Sequence, residues 1–207
     1  MTSRVLLPLL YAIVDSSFFP NSEELCTFAE SLRSGGVTLF QYRNKSADSR
    51  RVVDEARELK RRLGSSVRLI VNDRADVCLA LDFDGVHVGQ DDLSPAGARA
   101  VLGPDRWLGV STHNHDQVVE ADQTTADYIA IGPVFGTASK SNPDPVVGLE
   151  GVRRARALTR KPLVAIGGIT LQNCRSVIDA GADSVAVISA LYPGARKSAQ
   201  DFFSLLR

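Results

Sequence analysis

A closed eight-stranded parallel α/β barrel, the (β/α)8 or TIM barrel, is the fold class this sequence predicts, and three features predict it. Short apolar runs rich in Val, Ile and Leu alternate with amphipathic stretches along the chain. Those runs are continuous rather than alternating, as strands covered on both faces require. Eight such units in 207 residues leave about 26 residues per unit, near the compact end for such a barrel. A doubly wound sheet is the rival arrangement, but it rarely needs eight units of such regularity.

The predicted strands are Leu9–Val14, Val37–Tyr42, Arg68–Val71, Gly85–Val88, Trp107–Val110, Tyr128–Ile131, Pro162–Ile166 and Ser184–Ile188. Helical spacing marks Ser22–Ser34, Ser49–Leu63, Pro95–Leu102 and Leu149–Leu158 among the intervening segments. Asn21 or Ser22, Ser94 before Pro95, and Thr170 before Leu171 are candidate N-caps, and Gly35, Gly36 and Gly64 supply helix stops. The long irregular stretch is Phe135–Val147, after the sixth strand. A loop of that length in a compact fold is usually functional, and here it is a candidate lid.

Composition limits the possibilities. A hydrophobic fraction of 44% over this length is enough for one sizeable core, so one domain spanning residues 1–207 is expected. Lys and Arg number 24, as do Asp and Glu. With no basic excess, neither nucleic acid nor an anionic membrane is expected as a partner. Cys26, Cys78 and Cys174 are odd in number, widely spaced and in no metal-binding pattern, which points to a reducing cytoplasm. Met1–Val14 superficially resembles a signal peptide, but Pro8 interrupts it and no small-residue cleavage site follows, so a first barrel strand is the better reading. No apolar stretch approaches the roughly 20 residues that span a bilayer. Oligomeric state is not legible, and a homo-oligomer is compatible with the chain.

Polar and acidic residues collect at the strand ends. In a parallel barrel those C-terminal ends lie side by side and form the mouth where active sites sit. The second strand ends Gln41-Tyr-Arg-Asn-Lys45, and a period of two sets Gln41, Arg43 and Lys45 on one side, suited to an anionic polar ligand. Asn72 and Asp73 close the third strand, and Asp92 follows the fourth. Carboxylates converging from neighbouring strands, with no obvious nucleophile, suggest Mg2+ and a phosphate ester. Taken singly, Asp73 could be a helix cap and Asp92 a turn residue. Strand five offers the Ser111 hydroxyl and His113, and His87 in mid-strand reads as a hydrogen-bonded core histidine. Gly167-Gly168 and Ile188-Ser189 follow strands seven and eight, whose loops commonly bind phosphate in barrels.

These runs, with Gly109–His113, Asp127–Pro133, Thr137–Lys140, Val164–Ile169 and Gly181–Ser189, resemble the thiamine-phosphate synthase (thiamine-phosphate pyrophosphorylase) family from about Leu9 to Tyr192. The resemblance implies condensation of 4-amino-2-methyl-5-hydroxymethylpyrimidine diphosphate with a hydroxyethylthiazole phosphate, giving thiamine phosphate and diphosphate. It implies Mg2+ as cofactor and a dissociative path in which diphosphate leaves before the thiazole nitrogen attacks. Position by position, Gln41, Arg43, Lys45 and Asn72 match groups that hold the pyrimidine diphosphate, and Ser111 and Lys140 match further contacts to it. Arg43, Lys45 and Lys140 are thereby the catalytic cations. Asp73 and Asp92 match the metal ligands, and Thr137, Ser139, Gly168, Ile188 and Ser189 the thiazole-phosphate pocket. Gly136 stands where the family often has proline, which should loosen the loop, and Ser139 where threonine is frequent. A thiazole tautomerase on the same barrel would need the phosphate site and a histidine base, which His113 could supply, but not the diphosphate machinery. A non-catalytic phosphate-ligand sensor could dispense with the cations and carboxylates present here.

Overall fold

The structure is a computed structural model that describes residues 5–45, 48–137, 144–192 and 194–207. Eight strands close in sequence order into a barrel, each hydrogen-bonded in parallel to the next and β8 returning to β1. The strands are β1 Leu10–Asp15, β2 Leu39–Arg43, β3 Arg68–Asn72, β4 Gly85–Val88, β5 Trp107–Thr112, β6 Tyr128–Ile131, β7 Leu163–Ile166 and β8 Ser184–Val187. The helices between them are α1 Ser22–Ser34, α2 Ser49–Leu63, α3 Ala75–Ala80, α4 Pro95–Leu102, α5 His115–Asp122, α6 Gly148–Leu158, α7 Cys174–Asp179 and α8 Ala195–Leu206. Among the described residues, no helix is long and apolar enough to cross a membrane.

Local chemistry accounts for the helix boundaries. Asn21 accepts from the Glu24 N–H and starts α1, Asp48 accepts from Arg50 and Arg51 to start α2, and Ser94 with Pro95 starts α4. Capping satisfies amide donors that have no partner within the helix. Gly36 and Gly64 take positive φ where α1 and α2 end. Thr170 does not cap a helix. Asn173 occupies the cap position of α7, and its Oδ1 instead receives the Thr170 N–H at 2.8 Å, closing the turn after β7.

Burial divides into two shells. One lies between the strands and the helices and holds such residues as Leu10, Leu25, Leu32, Phe40, Leu59 and Phe202. The other fills the barrel interior with Tyr11, Ile13, Leu39, Ile70, Tyr128, Ala130, Val164 and Ala186. Alternate strand residues therefore serve different shells, which is why every strand reads as continuously apolar. Cys26, Cys78 and Cys174 are all buried free thiols in the outer shell.

Candidate active site

A cavity of about 520 Å³ opens at the C-terminal ends of the strands. Gln41, Arg43, Lys45, Asn72, Asp73, Asp92, Ser111, Thr137, Gly168, Ile188 and Ser189 all line it. Ser139 and Lys140 lie outside the described residues, as does the middle of the candidate lid loop. Two strands show how the wall is built. On β2, Gln41 and Arg43 face the cavity while the intervening Tyr42 turns outward and donates to Glu55 at 2.7 Å. Asn44, the next outward residue, donates to the same carboxylate at 2.9 Å. The period of two thus extends past the end of the strand.

Asp73 follows β3 with φ of +62°, a left-handed conformation that Asp tolerates better than most residues. Its N–H donates to the His87 carbonyl at 2.8 Å, so the chain stays tied to β4 as it turns. It is not a helix cap, because Arg74 holds the position before α3. The Asp73 carboxyl meets the Lys45 ammonium and the Asp92 carboxyl. Burial, reinforced by Asp92, pushes Asp73 up to about 6 against the opposing pull of Lys45. Burial acts upward on Asp92 also, but the hydrogen bond from Asp73 and the Gly89 N–H hold it below the ordinary carboxylate range. Below about pH 6 the pair therefore holds one proton between its two carboxyls, as close like charges favour. Asp92 also closes its own turn, accepting from Gly89 at 2.8 Å.

The cations of β2 are already partnered. Lys45 pairs with Asp73 and Arg43 with Asp15, the buried last residue of β1. Asp15 was not among the residues singled out from the sequence. An acidic residue ending an apolar strand was the available signal, the same one that marked Asp73. Its carboxylate also accepts from the Ser17 N–H at 3.0 Å and the Ser17 hydroxyl at 2.7 Å. Asp15→Asn keeps an acceptor for Ser17 and removes the charge facing Arg43. It should lower stability by about 1–3 kcal/mol, below the loss for a fully buried pair because Arg43 is partly exposed. Urea denaturation measures this.

The cavity floor is polar but closed to solvent. Gln41 Nε2 donates to the Tyr11 hydroxyl at 2.9 Å, and Tyr11 lies 3.1 Å from the Tyr128 hydroxyl. His87 Nδ1 lies 3.1 Å from Tyr128, and its Nε2 lies 2.8 Å from Ser111 Oγ. Burial pushes the His87 ring down to about 4, opposed only by the distant charge of Asp92, so the imidazole is neutral near pH 7. His87 is thus the hydrogen-bonded core histidine expected, and it also lines the cavity. Among the described residues, Asn72 Nδ2 is the one buried side-chain polar atom without a partner. Such a donor facing the cavity calls for an acceptor from a ligand.

Across the cavity, Gly167 and Gly168 follow β7 with φ of +99° and +63°. The segment after β6 packs against them, with the Phe135 N–H donating to the Gly167 carbonyl at 3.0 Å. Thr137, two residues on, reaches the cavity beside Gly168, Ile188 and Ser189. His113 points its Nδ1 at the Gly132 carbonyl at 2.6 Å, while its Nε2 lies 3.6 Å from Asp144.

A profile described as thiamine monophosphate synthase matches residues 10–191. A thiamine-phosphate synthase of Koribacter versatilis is 58% identical over 209 aligned positions, covering all of this chain and 99% of its own. That of Chloroflexus aurantiacus is 44% identical over 88% of this chain and 84% of its own. Among solved structures, thiamine phosphate pyrophosphorylase from Pyrococcus furiosus superposes with a TM-score of 0.81 at 34% identity, covering 96% of this chain and 95% of that one. The match runs through every strand that contributes to the cavity, and the chain belongs to the thiamine monophosphate synthase family.

Proposed function

We propose that the protein is a transferase that condenses hydroxymethylpyrimidine diphosphate with hydroxyethylthiazole phosphate, releasing diphosphate and thiamine phosphate by a Mg2+-dependent, dissociative route. One observation carries the reading: cations, a proton-sharing carboxyl pair and a glycine-lined anion cradle face one another across a single cavity. The names of the relatives agree with it.

The donors fit a magnesium ion. Asp73 and Asp92 carry hard oxygen ligands, and two carboxyls crowded against each other are poised to take up a cation, exchanging a proton for it below about pH 6. Among the described residues no cluster of three or more His, Cys, Asp or Glu forms a cation site. Mg2+ commonly takes one or two carboxylates and completes its shell with waters and phosphate oxygens. Bound between Asp73 and Asp92, it would supply positive charge against the departing diphosphate. Arg43 and Lys45 orient that diphosphate from β2, and Asn72 Nδ2 gains the acceptor it lacks. Ser111 and Gln41 hold the pyrimidine edge on the polar floor. Thr137, Gly168, Ile188 and Ser189 place the thiazole phosphate so that its ring nitrogen faces the pyrimidine methylene; the family resemblance assigns Ser139 to the same pocket and Lys140 to the departing diphosphate. The thiazole nitrogen is itself the nucleophile, so no enzymatic one is needed. Exclusion of water by the apolar wall of Ile13, Val164 and Ile166 protects the electron-poor carbon.

The test is diphosphate release from both substrates, with and without Mg2+. Release that requires the metal and the thiazole phosphate, with thiamine phosphate appearing in step, supports the synthase. Interconversion of thiazole carboxylate tautomers without release would assign the cavity to the tautomerase instead. Metal affinity carries its own pH signature. Asp73 holds its proton below about 6, so Mg2+ must displace it there, and apparent affinity should fall up to tenfold per pH unit as pH drops through that value. Above it, affinity should be flat. Mg2+-dependent thermal shifts across that range measure this.

A further inference from the structure

The buried groups under the cavity form one unbranched chain: Gln41, Tyr11, Tyr128, His87 and Ser111. Its middle members are sealed, with Tyr11 1% and Tyr128 0% exposed, so each hydroxyl has only its two neighbours as partners. The barrel makes room for them at Gly109, where a Cβ would lie 2.1 Å from Tyr128 Cζ and 2.4 Å from His87 Nδ1. Any side chain there would break the contact between these two rings.

A hydroxyl has one proton, and a neutral imidazole carries one proton between its two ring nitrogens. In a chain without branches, every interior member therefore donates once and accepts once. Direction at one end dictates direction at the other. Gln41 presents its amide nitrogen, which only donates, to Tyr11. Tyr11 must then donate to Tyr128, and Tyr128 to His87 Nδ1. The histidine proton is left on Nε2, where it donates to Ser111 Oγ. Ser111 Oγ accepts from His87, which leaves its own proton free to point into the cavity, while Gln41 Oε1 remains as an acceptor.

We infer that Tyr11, Tyr128 and His87 are positioning residues that set the proton polarity of the cavity floor, so that Ser111 turns its hydroxyl proton, and Gln41 its amide oxygen, toward the cavity. That pattern matches the edge of an aminopyrimidine, a ring nitrogen accepting beside an amino group donating. It mismatches the hydroxypyrimidine analogue, whose ring N–H and carbonyl carry the reverse pattern. The inference rests on the assignment of Gln41 and Ser111 to the pyrimidine substrate, and it adds the groups that give those two their specificity.

Two measurements on the full chain test it. Long-range proton–nitrogen correlation NMR reads each histidine tautomer, and the chain has three histidines, so single substitutions assign them. His87 should carry its proton on Nε2. His113, whose Nδ1 faces a carbonyl at 2.6 Å, should carry it on Nδ1 and serves as internal reference. A His87 proton on Nδ1 would reverse the chain and overturn the inference. Tyr128→Phe keeps the ring and cuts the chain at its centre. It should raise KM for the aminopyrimidine diphosphate about tenfold, the upper end for one hydrogen bond, narrow discrimination against the hydroxypyrimidine analogue, and leave KM for the thiazole phosphate unchanged. Tyr11→Phe, which cuts the chain one link earlier, should repeat the pattern. If Ser111→Ala weakens the pyrimidine substrate but neither Tyr variant shifts KM or discrimination, the positioning role is wrong while the site reading stands. If Ser111→Ala has no effect on pyrimidine binding, the site reading fails and takes the inference with it.

Discussion

Asp92→Ala should lower kcat by about 10²–10³, the usual loss for one preorganised group stabilising charge in a transition state. The size follows from what Asp92 touches. It is half of a proton-sharing pair with Asp73, and its removal leaves Asp73 to Lys45 alone. Without the neighbouring carboxyl one of the two upward pushes on Asp73 is gone, burial being the other, and the paired oxygens that would attract a divalent ion are lost. Asp92 also accepts from the Gly89 N–H, so alanine loosens the turn after β4. Asp92→Asn separates the two roles, because the amide oxygen still accepts from Gly89 while the charge is gone. Both variants should lose the Mg2+-induced rise in Tm, which tracks ligand binding to the folded state, and Asn should retain the metal-free Tm. Near-wild-type diphosphate release in both would remove Asp92 from the leaving-group site. Asp73→Asn should behave like Asp92→Asn in rate.

Three of the four helices marked by apolar spacing were legible to the residue. Ser22–Ser34, Ser49–Leu63 and Pro95–Leu102 begin and end where the sequence places them, and Leu149–Leu158 misses one residue at its start. All eight strands were found, but several C-terminal ends were drawn short. β1 runs on to Asp15, β2 to Arg43, β3 to Asn72 and β5 to Thr112. Each shortfall has the same cause. The apolar run stops where side chains leave the core and enter the cavity, while the backbone ladder continues through the polar residues, as the pairing of Asp15 with Arg43 shows. The residues that hid the strand ends therefore include those that build the site.

Side-chain identity at strand ends was enough to nominate the cavity wall, and each nominated residue within the described part of the chain faces that cavity. The partnerships were not legible. Lys45 and Asp73 are 28 residues apart, and nothing in either local sequence says that the cation is already neutralised. Tyr11 and Tyr128 were indistinguishable from core aromatics, because a hydroxyl's partner in a barrel comes from a strand over a hundred positions away. Thr170 looked like a helix cap by residue type, yet the turn that follows β7 uses Asn173 instead. Type and period identify what a residue can do, and only closure of the barrel decides with whom.

Gly168→Ala should abolish thiazole-phosphate binding at concentrations that saturate the parent enzyme, a loss of about 10²-fold or more. Two costs combine. Gly168 sits at φ of +63°, where a Cβ costs about 1–2 kcal/mol. Its Cβ would also lie 2.5 Å from the Gly136 carbonyl oxygen and 2.8 Å from Phe135 Cβ, atoms that cannot swing aside as the end of a flexible side chain would. The segment after β6 must retreat, and Thr137, the residue after Gly136, goes with it. A rigid cradle displaced by a fraction of an ångström no longer matches a phosphate held by several donors at once. Gly103→Ala isolates the backbone cost, since Gly103 has φ of +72° with nothing within 4 Å of its Cβ position. That variant should lose Tm and keep its KM values. Gly168→Ala should lose both Tm and thiazole-phosphate affinity while the pyrimidine diphosphate, which the proposed function assigns to the opposite wall, binds as before. Isothermal titration of each substrate separates the two, and an unchanged thiazole-phosphate affinity would move the phosphate away from the loops after β6 and β7.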